Sequence, residues 1–344
     1  MTMKKVLVTR RIPQPGIDLL AGRFDVDLNT EDRPLSREQL HARAMDCDGV
    51  LCLLTDRIDA AFFTACPKVR GVANYAVGYD NIDVAEATRS CVPVSNTPGV
   101  LTNATAEMAW ALLFAVARRV VESDTVMRSG AWTGWGPLQF IGADVTGATL
   151  GIIGAGRIGT AMAMKSRGFD MTVLYCDDVR NETLETSVAA CRVSLDTLLE
   201  RSDFVSIHCP LLAHTRHLIG RRQLARMKHG ACLINTARGP IVDEAALADA
   251  LRGGAIAGAG LDVYEFEPRM ADGLAELKNV VVTPHTASAT VCSRIGMALA
   301  AARNLAAALD GKQPPDCVNP ELFTAGVLSP AATITPDNGG NACR

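Results

Sequence analysis

A glycine cluster placed directly after an apolar run constrains this chain more than any other feature. Leu150-Gly151-Ile152-Ile153 leads straight into Gly154-Ala155-Gly156-Arg157-Ile158-Gly159. A strand, a tight turn and a helix N-terminus in that order make an anion site. Gly154 permits the turn, Gly156 lets the backbone approach a pyrophosphate, and Gly159 allows close helix–strand packing. Arg157 and Ile158 complete the same binding segment. A GxGxxG run alone is weak, because glycine turns in unrelated loops mimic it. Here the next strand ends at Tyr175-Cys176-Asp177, and Asp177 lies 23 residues beyond Gly154. That is close to the ~20 expected of the acid that binds an adenosine ribose.

The surrounding pattern agrees. Lys5 to Thr9, Phe24 to Leu28, Gly49 to Leu54, Val69 to Tyr75 and Val92 to Val94 read as strands, with helix-like segments at Gly16 to Ala21 and Arg37 to Ala44. A long helix is predicted from about Ala104 to Ser123. A second series follows: Leu150 to Ile153, Thr172 to Tyr175, Phe204 to His208, Ala231 to Ile234, Gly258 to Leu261 and Val280 to Val282. Between these strands lies a helix at Glu244 to Leu251, which Asp243 could cap. Another long helix is predicted from about Ala289 to Leu309, ending at Asp310-Gly311. Such alternation argues for α/β architecture with parallel sheets covered on both faces.

Length and composition narrow the function classes. A chain of 344 residues fits two domains. Its net charge of -3 gives no electrostatic reason to expect nucleic acid or an anionic membrane as a partner. The 11 cysteines form no CxxC pair, and Cys52, Cys209 and Cys232 lie in apolar runs. They read as buried free thiols of a reducing compartment, not as disulfides or a metal site. The apolar stretch near the N-terminus is too short for a signal peptide, and the most apolar helix carries Glu107 and ends in Arg118-Arg119. A cytoplasmic location is the default expectation. Residues 324–344 are rich in Ser, Pro, Thr, Asn and Gly and read as a disordered tail.

Three motifs follow the glycine cluster: Asn235-Thr236-Ala237-Arg238-Gly239, Leu261-Asp262-Val263-Tyr264-Glu265-Phe266-Glu267-Pro268, and Thr283-Pro284-His285. Each sits at a strand end, where open α/β sheets bind ligands. Taken singly they are ambiguous. An arginine after a strand is most often a surface charge, a glutamate before proline can be a turn residue with Glu265 as a rival, and most of the six histidines must be structural. His208 also ends a strand.

Together with Asn74-Tyr75-Ala76-Val77-Gly78-Tyr79-Asp80-Asn81-Ile82-Asp83, these motifs resemble the D-2-hydroxyacid dehydrogenases, and within them the glyoxylate/hydroxypyruvate reductases. The resemblance runs from about residue 5 to residue 322. It implies two doubly wound parallel-sheet domains, a Rossmann cofactor domain and a flavodoxin-like substrate domain, with a cleft between. The substrate domain would be discontinuous, residues 1–98 plus 289–323, around a cofactor domain at 99–288. Periodicity alone would allow two consecutive domains.

The resemblance implies that Arg238 binds a substrate carboxylate, His285 is the general acid–base and Glu267 pairs with His285. The physics agrees. A planar guanidinium holds a carboxylate through two parallel hydrogen bonds, which lysine cannot do. Hydride addition to a ketone leaves an alkoxide, so a protonated imidazole beside it removes the charge as it forms. A carboxylate at Glu267 favours the imidazolium and fixes the ring. Leu53 suggests an apolar wall for the substrate, and Ser288, three residues after His285, an additional polar contact. The same resemblance assigns Val77 and Gly78 to the substrate, and Cys209, Pro210, Thr215, Thr236, Ala237 and Asp262, with Arg238 and His285, to the cofactor. It puts the segment Ala131 to Pro137 at a homodimer interface, with Trp135 reaching the partner's active site. The expected cofactor is NAD(H), because Asp177, reinforced by Asp178, would repel a 2′-phosphate. NADP(H) is thereby disfavoured, and Arg180 is the residue that could undercut this. No metal is expected.

For the substrate, neutral Asn74, Tyr75, Ala76 and Val77 stand where a phosphorylated acid would need cations. Formate dehydrogenases of this superfamily use glutamine at the position of Glu267. A small unphosphorylated 2-keto acid such as glyoxylate or hydroxypyruvate is the expectation, with pyruvate or a larger keto acid as alternatives. A dinucleotide-sensing binding protein, like the corepressors of the same architecture, is the rival from another class.

Overall fold

Apolar runs of four or five residues, buried on both faces, need helices above and below them to exclude water. The computed structural model describes residues 3–324, so the expected tail lies almost wholly outside the described residues. The chain divides into two compact units, Thr102–Ala289 and the residues that flank it. Both are parallel-sheet α/β domains, as the alternation predicts.

The flanking unit contains β1 (Lys5–Val8), β2 (Asp25–Leu28), β3 (Gly49–Cys52), β4 (Val72–Asn74) and β5 (Val94–Ser95), in the sheet order β2-β1-β3-β4-β5. Every pairing is parallel. This is the flavodoxin-like order, with its switch point between β1 and β3. Leu7, Val50, Phe62, Val72 and Val94 fill the core on one face. On the other, helix Gln14–Ala21 meets helix Val291–Leu309 so closely that a Cβ on Gly16 would stand 2.7 Å from the Ala298 Cβ.

The central unit contains β6 (Thr149–Ile153), β7 (Thr172–Cys176), β8 (Cys191–Arg192), β9 (Phe204–Ile207), β10 (Cys232–Asn235), β11 (Gly258–Leu261) and β12 (Val280–Val282). Their order, β12-β11-β10-β9-β6-β7-β8, reverses direction between β6 and β9, which is the doubly wound pattern. Helix Thr102–Ala117 covers one face with Trp110, Leu112 and Leu113. It can lie flat because β11 carries Gly258 and Gly260, where a Cβ would come within 2.6 and 2.8 Å of Val116 and Leu112. Leu174, Val205, Leu233 and Leu247 form the core of the opposite face. Burial of each such side chain contributes ~1.5–3 kcal/mol.

Three local expectations change. The helix predicted from Ala104 to Ser123 is two helices, Thr102–Ala117 and Val120–Ser129. Arg119 adopts a left-handed φ of 51°, and the Ala117 carbonyl accepts the Ala143 amide instead of continuing the helix. The two-residue strand β8 has no counterpart in the sequence pattern, since so short an edge strand carries no periodicity. Cys91 is disulfide-bonded; it lies half-buried just after helix Val84–Arg89, not within an apolar strand. Nine other cysteines among the described residues are free. Burial pushes the thiols of Cys47 and Cys66 up to about 11 and that of Cys232 to about 12, which keeps them protonated and unreactive. No helix among the described residues is long and apolar enough to cross a membrane.

Candidate active site

The glycine loop follows β6 at the point where strand order reverses. Gly154 has φ +91°, and a Cβ there would sit 2.4 Å from the Cys209 amide nitrogen. A Cβ on Gly159 would meet the Gly154 carbonyl oxygen at 2.0 Å. Those two glycines are demanded by the protein's own packing. Gly156 differs: it is the N-cap of helix Arg157–Lys165, and a Cβ on it would meet nothing within 4 Å. Its missing side chain leaves open space in front of a helix N-terminus, where Arg157 and Ile158 begin the chain of outward-facing amides that an anion requires. A second observation also fits a dinucleotide. The Thr236 hydroxyl is buried and has no protein hydrogen-bond partner.

Register brings the three downstream motifs together. Asn235 on β10 pairs with Leu261 on β11, and Leu261 pairs with Val282 on β12. Arg238, the Asp262–Pro268 segment and His285 therefore all emerge from the C-terminal ends of three adjacent parallel strands. Asn235, itself buried, braces the first loop: its Oδ1 accepts the Ala237 amide at 3.0 Å and its Nδ2 donates to the Arg238 carbonyl at 2.9 Å. Asp262 is fully buried and organises the third. It accepts the Thr283 hydroxyl at 2.6 Å and the amides of Thr286 and Ala287 at 2.7 Å each. Its carboxylate is thus committed to the His285 loop.

His285 takes a left-handed φ of 54°, and its amide donates to the Asp262 carbonyl at 2.9 Å. Its Nδ1 stands 3.0 Å from Oε2 of Glu267. Oε1 of Glu267 accepts the Tyr264 amide at 3.1 Å. Burial pushes the Glu267 carboxyl up, but the His285 hydrogen bond and charge, the Tyr264 amide and the Arg238 guanidinium together hold it below its ordinary value. Arg238, Glu267 and His285 are thereby coupled at one carboxylate. Gly239 makes this possible, since a Cβ there would lie 1.9 Å from the Tyr264 carbonyl carbon.

The rival glutamate has a partner of its own. Oε1 of Glu265 is 2.6 Å from Nε2 of His217, with Arg216 at 4.0 Å. The turn thus carries two histidine–glutamate pairs, and only Glu267 serves His285. His208 is structural: its Nε2 lies 2.9 Å from the Ser206 hydroxyl, and burial lowers it to about 3. Thr215 spends its hydroxyl on the Pro210 carbonyl and the Leu212 amide, holding the loop after Cys209-Pro210 in shape. Ser288 is half-buried three residues after His285.

Leu53, Val77 and Gly78 belong to the flanking unit, just past the ends of β3 and β4. Asn74 donates to the Gly78 carbonyl, Asn96 to the Val77 carbonyl and Asn81 to the Leu53 carbonyl, at 2.8, 2.7 and 3.0 Å. Asn74 also donates to Asn81, so one amide network ties both loops. The sequence pattern assigns these asparagines no such role; for Asn74 and Asn81 their spacing in the Asn74–Asp83 motif is the signal that points to it, and Asn96 lies outside that motif. Trp135 is 83% exposed, beside exposed Trp132, Leu138 and Ile141, and helix Val120–Ser129 buries no residue.

At the end of β7, Asp177 accepts the Ala155 amide at 2.6 Å and the Val179 amide at 2.9 Å. Arg192 donates to the carbonyls of Asp177 and Asp178, and Arg180 stands nearby, paired with Glu185.

The chain matches the model of "D-isomer specific 2-hydroxyacid dehydrogenase, NAD binding domain" over residues 110–287. It is 51% identical to a glyoxylate reductase of Korarchaeum cryptofilum over 320 residues, covering 92% of this chain and 96% of that one. Among solved structures, a protein from Thermus thermophilus superposes with a TM-score of 0.86 at 41% identity, covering 91% and 99% of the two chains. The NADPH-dependent glyoxylate/hydroxypyruvate reductase of Sinorhizobium meliloti, in complex with NADP and malonate, gives 0.82 at 30% identity, covering 92% and 97%. That similarity to an NADPH-dependent enzyme overturns the expectation that Asp177 selects NAD(H) and disfavours NADP(H). The physical reason is local. Both Asp177 carboxylate oxygens already accept backbone amides, those of Ala155 and Val179, and Arg192 and Arg180 bring two guanidiniums to the same strand end. With the glycine loop, the strand-end constellation and these matches in hand, the chain belongs to the D-isomer specific 2-hydroxyacid dehydrogenases, NAD(P)-dependent oxidoreductases.

Proposed function

We propose that this enzyme reduces a small unphosphorylated 2-keto acid, glyoxylate or hydroxypyruvate, to the D-2-hydroxy acid. The observation that carries the reading is the coupling of Arg238 and His285 through Glu267 at adjacent strand ends. The named activities of its relatives support the substrate class. A dinucleotide held at the glycine loop would supply the hydride. Arg238 holds the substrate carboxylate through its planar fork. Glu267 occupies Nδ1 of His285, which leaves Nε2 as the nitrogen that gives a proton to the carbonyl oxygen as hydride arrives. Glu267 stabilises the imidazolium before transfer and keeps the ring from rotating.

Gly154, Gly156, Arg157, Ile158 and Gly159 are assigned to the pyrophosphate, Asp177 to the ribose side, and Cys209, Pro210, Thr215, Thr236, Ala237 and Asp262 to the walls and support of the dinucleotide site. Leu53, Val77, Gly78 and Ser288 are assigned to the substrate. The exposure of Trp132, Trp135, Leu138 and Ile141 supports a homodimer in which Trp135 acts on the partner subunit's site, since large apolar side chains gathered in one exposed segment mark an interaction surface. Nine free thiols among the described residues support a cytoplasmic setting, and the disulfide at Cys91 counts against it.

The test is a panel of 2-keto acids assayed with NADH and with NADPH. Turnover of glyoxylate or hydroxypyruvate, abolished by His285→Ala, supports the reading. Dinucleotide binding without turnover of any keto acid overturns it.

A further inference from the structure

Glu244 is a buried carboxylate that the reaction does not use. It opens helix Glu244–Arg252, whose N-cap Asp243 accepts the Ala246 amide. An acid in the first turn of a helix is ordinary when it faces water and the helix dipole. This one does not face water, being only 4% exposed. Its Oε2 accepts the backbone amide of Glu265 at 2.9 Å, across a separation of 21 residues. The next amide back along the turn, that of Tyr264, donates to Glu267 itself. Two successive amides of one turn are therefore pinned by two carboxylates, one from the helix and one from the pair with His285.

Resting on the assignment of His285 and Glu267 above, we propose that Glu244 is a positioning residue for the acid–base pair: by holding the Glu265 amide it fixes the Tyr264–Glu267 turn and so aims Glu267 at His285. A buried carboxylate is costly unless its hydrogen bonds are made. Only Oε2 of Glu244 receives an amide here, while Oε1 is buried without a hydrogen-bond partner, so the carboxylate is kept at a cost that its hold on the turn would explain. Burial pushes the Glu244 carboxyl above its ordinary value, the amides of Glu265 and Ala271 favour its charge, and Glu265 and Glu267 oppose it. The groups that face this cluster are Arg238 from the loop after β10, Asp262 and Tyr264 from the turn's own segment, His285 from the loop after β12, and His217 with Arg216 behind Glu265.

Two substitutions separate the accepted hydrogen bond from everything else. Glu244→Gln keeps an oxygen that can receive the Glu265 amide, while Glu244→Met keeps the volume and removes the acceptor. The expected result is that Glu244→Gln stays within about threefold of wild-type kcat with an unchanged pH profile. Glu244→Met should lose roughly 10- to 100-fold in kcat, the cost of a misplaced catalytic group, with a smaller change in KM. Its alkaline limb of kcat/KM should move to lower pH, because Glu267 no longer stabilises the imidazolium. If Glu244→Met does not fold, Glu244→Asp, which withdraws the acceptor by one methylene, takes its place with the same expectation. A lower melting temperature with an unchanged pH profile would mean a merely structural residue and overturn the proposal. So would equal loss in Glu244→Gln and Glu244→Met. Controls on Glu267→Gln and His285→Ala keep the two readings apart: if those leave turnover and its pH profile intact, the acid–base assignment fails; if His285→Ala abolishes turnover and Glu267→Gln impairs it while Glu244→Met behaves as wild type, only the role of Glu244 fails.

Discussion

Nδ1 of His285 and Oε2 of Glu267 stand 3.0 Å apart, joined across the ends of two neighbouring parallel strands. The carboxyl of this pair is held below its ordinary value of about 4.3, because its hydrogen bonds and cationic neighbours outweigh the rise caused by burial. A folded-state value below the unfolded one contributes stability that is present above the unfolded value and lost as pH falls through the folded one. Glu267 should therefore stay ionised through the neutral range, and its contribution to stability and activity should fade only in acid below pH ~4.3. In Glu267→Gln the alkaline limb of kcat/KM for keto-acid reduction should shift to lower pH. Stopped assays across a range of pH from acid to mildly alkaline check this, and an unshifted limb would falsify the pairing as a functional one.

Arg238 tests geometry against charge. Arg238→Lys keeps the cation but loses the fork that receives two carboxylate oxygens. The KM for the keto acid should rise by roughly 10- to 100-fold, with dinucleotide affinity little changed. Initial-rate kinetics with each component varied separately would show it. A lysine variant with wild-type KM would put the carboxylate elsewhere.

Two glycines should separate folding from binding. At Gly239 a methyl group would collide with the Tyr264 backbone, which is 1.9 Å from the ideal Cβ. Gly239→Ala should thus destabilise the fold by about 1–3 kcal/mol, seen as a lower melting temperature, and should misplace Arg238. At Gly156 a methyl group meets no protein atom within 4 Å. Gly156→Ala should melt like wild type yet bind dinucleotide at least about tenfold more weakly, since it obstructs close approach of a pyrophosphate. Fluorescence titration of NADH and NADPH is the readout, and equal affinity in the variant contradicts the site.

Asp177 holds the glycine loop through the Ala155 amide. Asp177→Ala frees that amide and should weaken NADH and NADPH alike, by roughly the tenfold that one lost charge-assisted hydrogen bond costs. Selective gain of one dinucleotide without loss of the other would show that the carboxylate acts on the ribose and not on the loop.

For the exposed patch, Trp135→Ala should lower turnover with little change in melting temperature, because the indole is 83% exposed in the single chain and contributes little to its core. Light scattering beside the kinetics checks the assembly. A monomer with full activity removes any role for this residue in trans.

Much of the architecture was legible in the chain. Four- and five-residue apolar runs such as Leu150–Ile153 and Gly258–Leu261 are too short for core helices and too apolar for one-sided strands, so a parallel sheet was the remaining solution. The roles of Gly154 and Gly159 were legible for the same kind of reason, since only glycine fits both the turn and the close packing. The residues alone left two neighbouring acids as rivals for His285, and only the resemblance favoured Glu267. Glu265 and Glu267 differ by two positions on one turn, and the choice depends on how that turn is pinned by Glu244 and Gly239. Arg119 shows the same limit. Its break in the long helix comes from the Ala143 amide, which claims the Ala117 carbonyl from 26 residues away.

Asp177 marks the boundary most clearly. Local order in the sequence determined the strand, the glycine turn and an acid at the next strand's end, because strand rise and turn geometry are short-range properties. Tertiary structure alone decided which groups that acid meets, since one of its oxygens accepts the Ala155 amide of the glycine loop and Arg192, from the next strand, donates to its backbone carbonyl. Electrostatic character depends on every charge and dipole within several ångströms, and those neighbours are assembled only when strands distant in the chain come side by side.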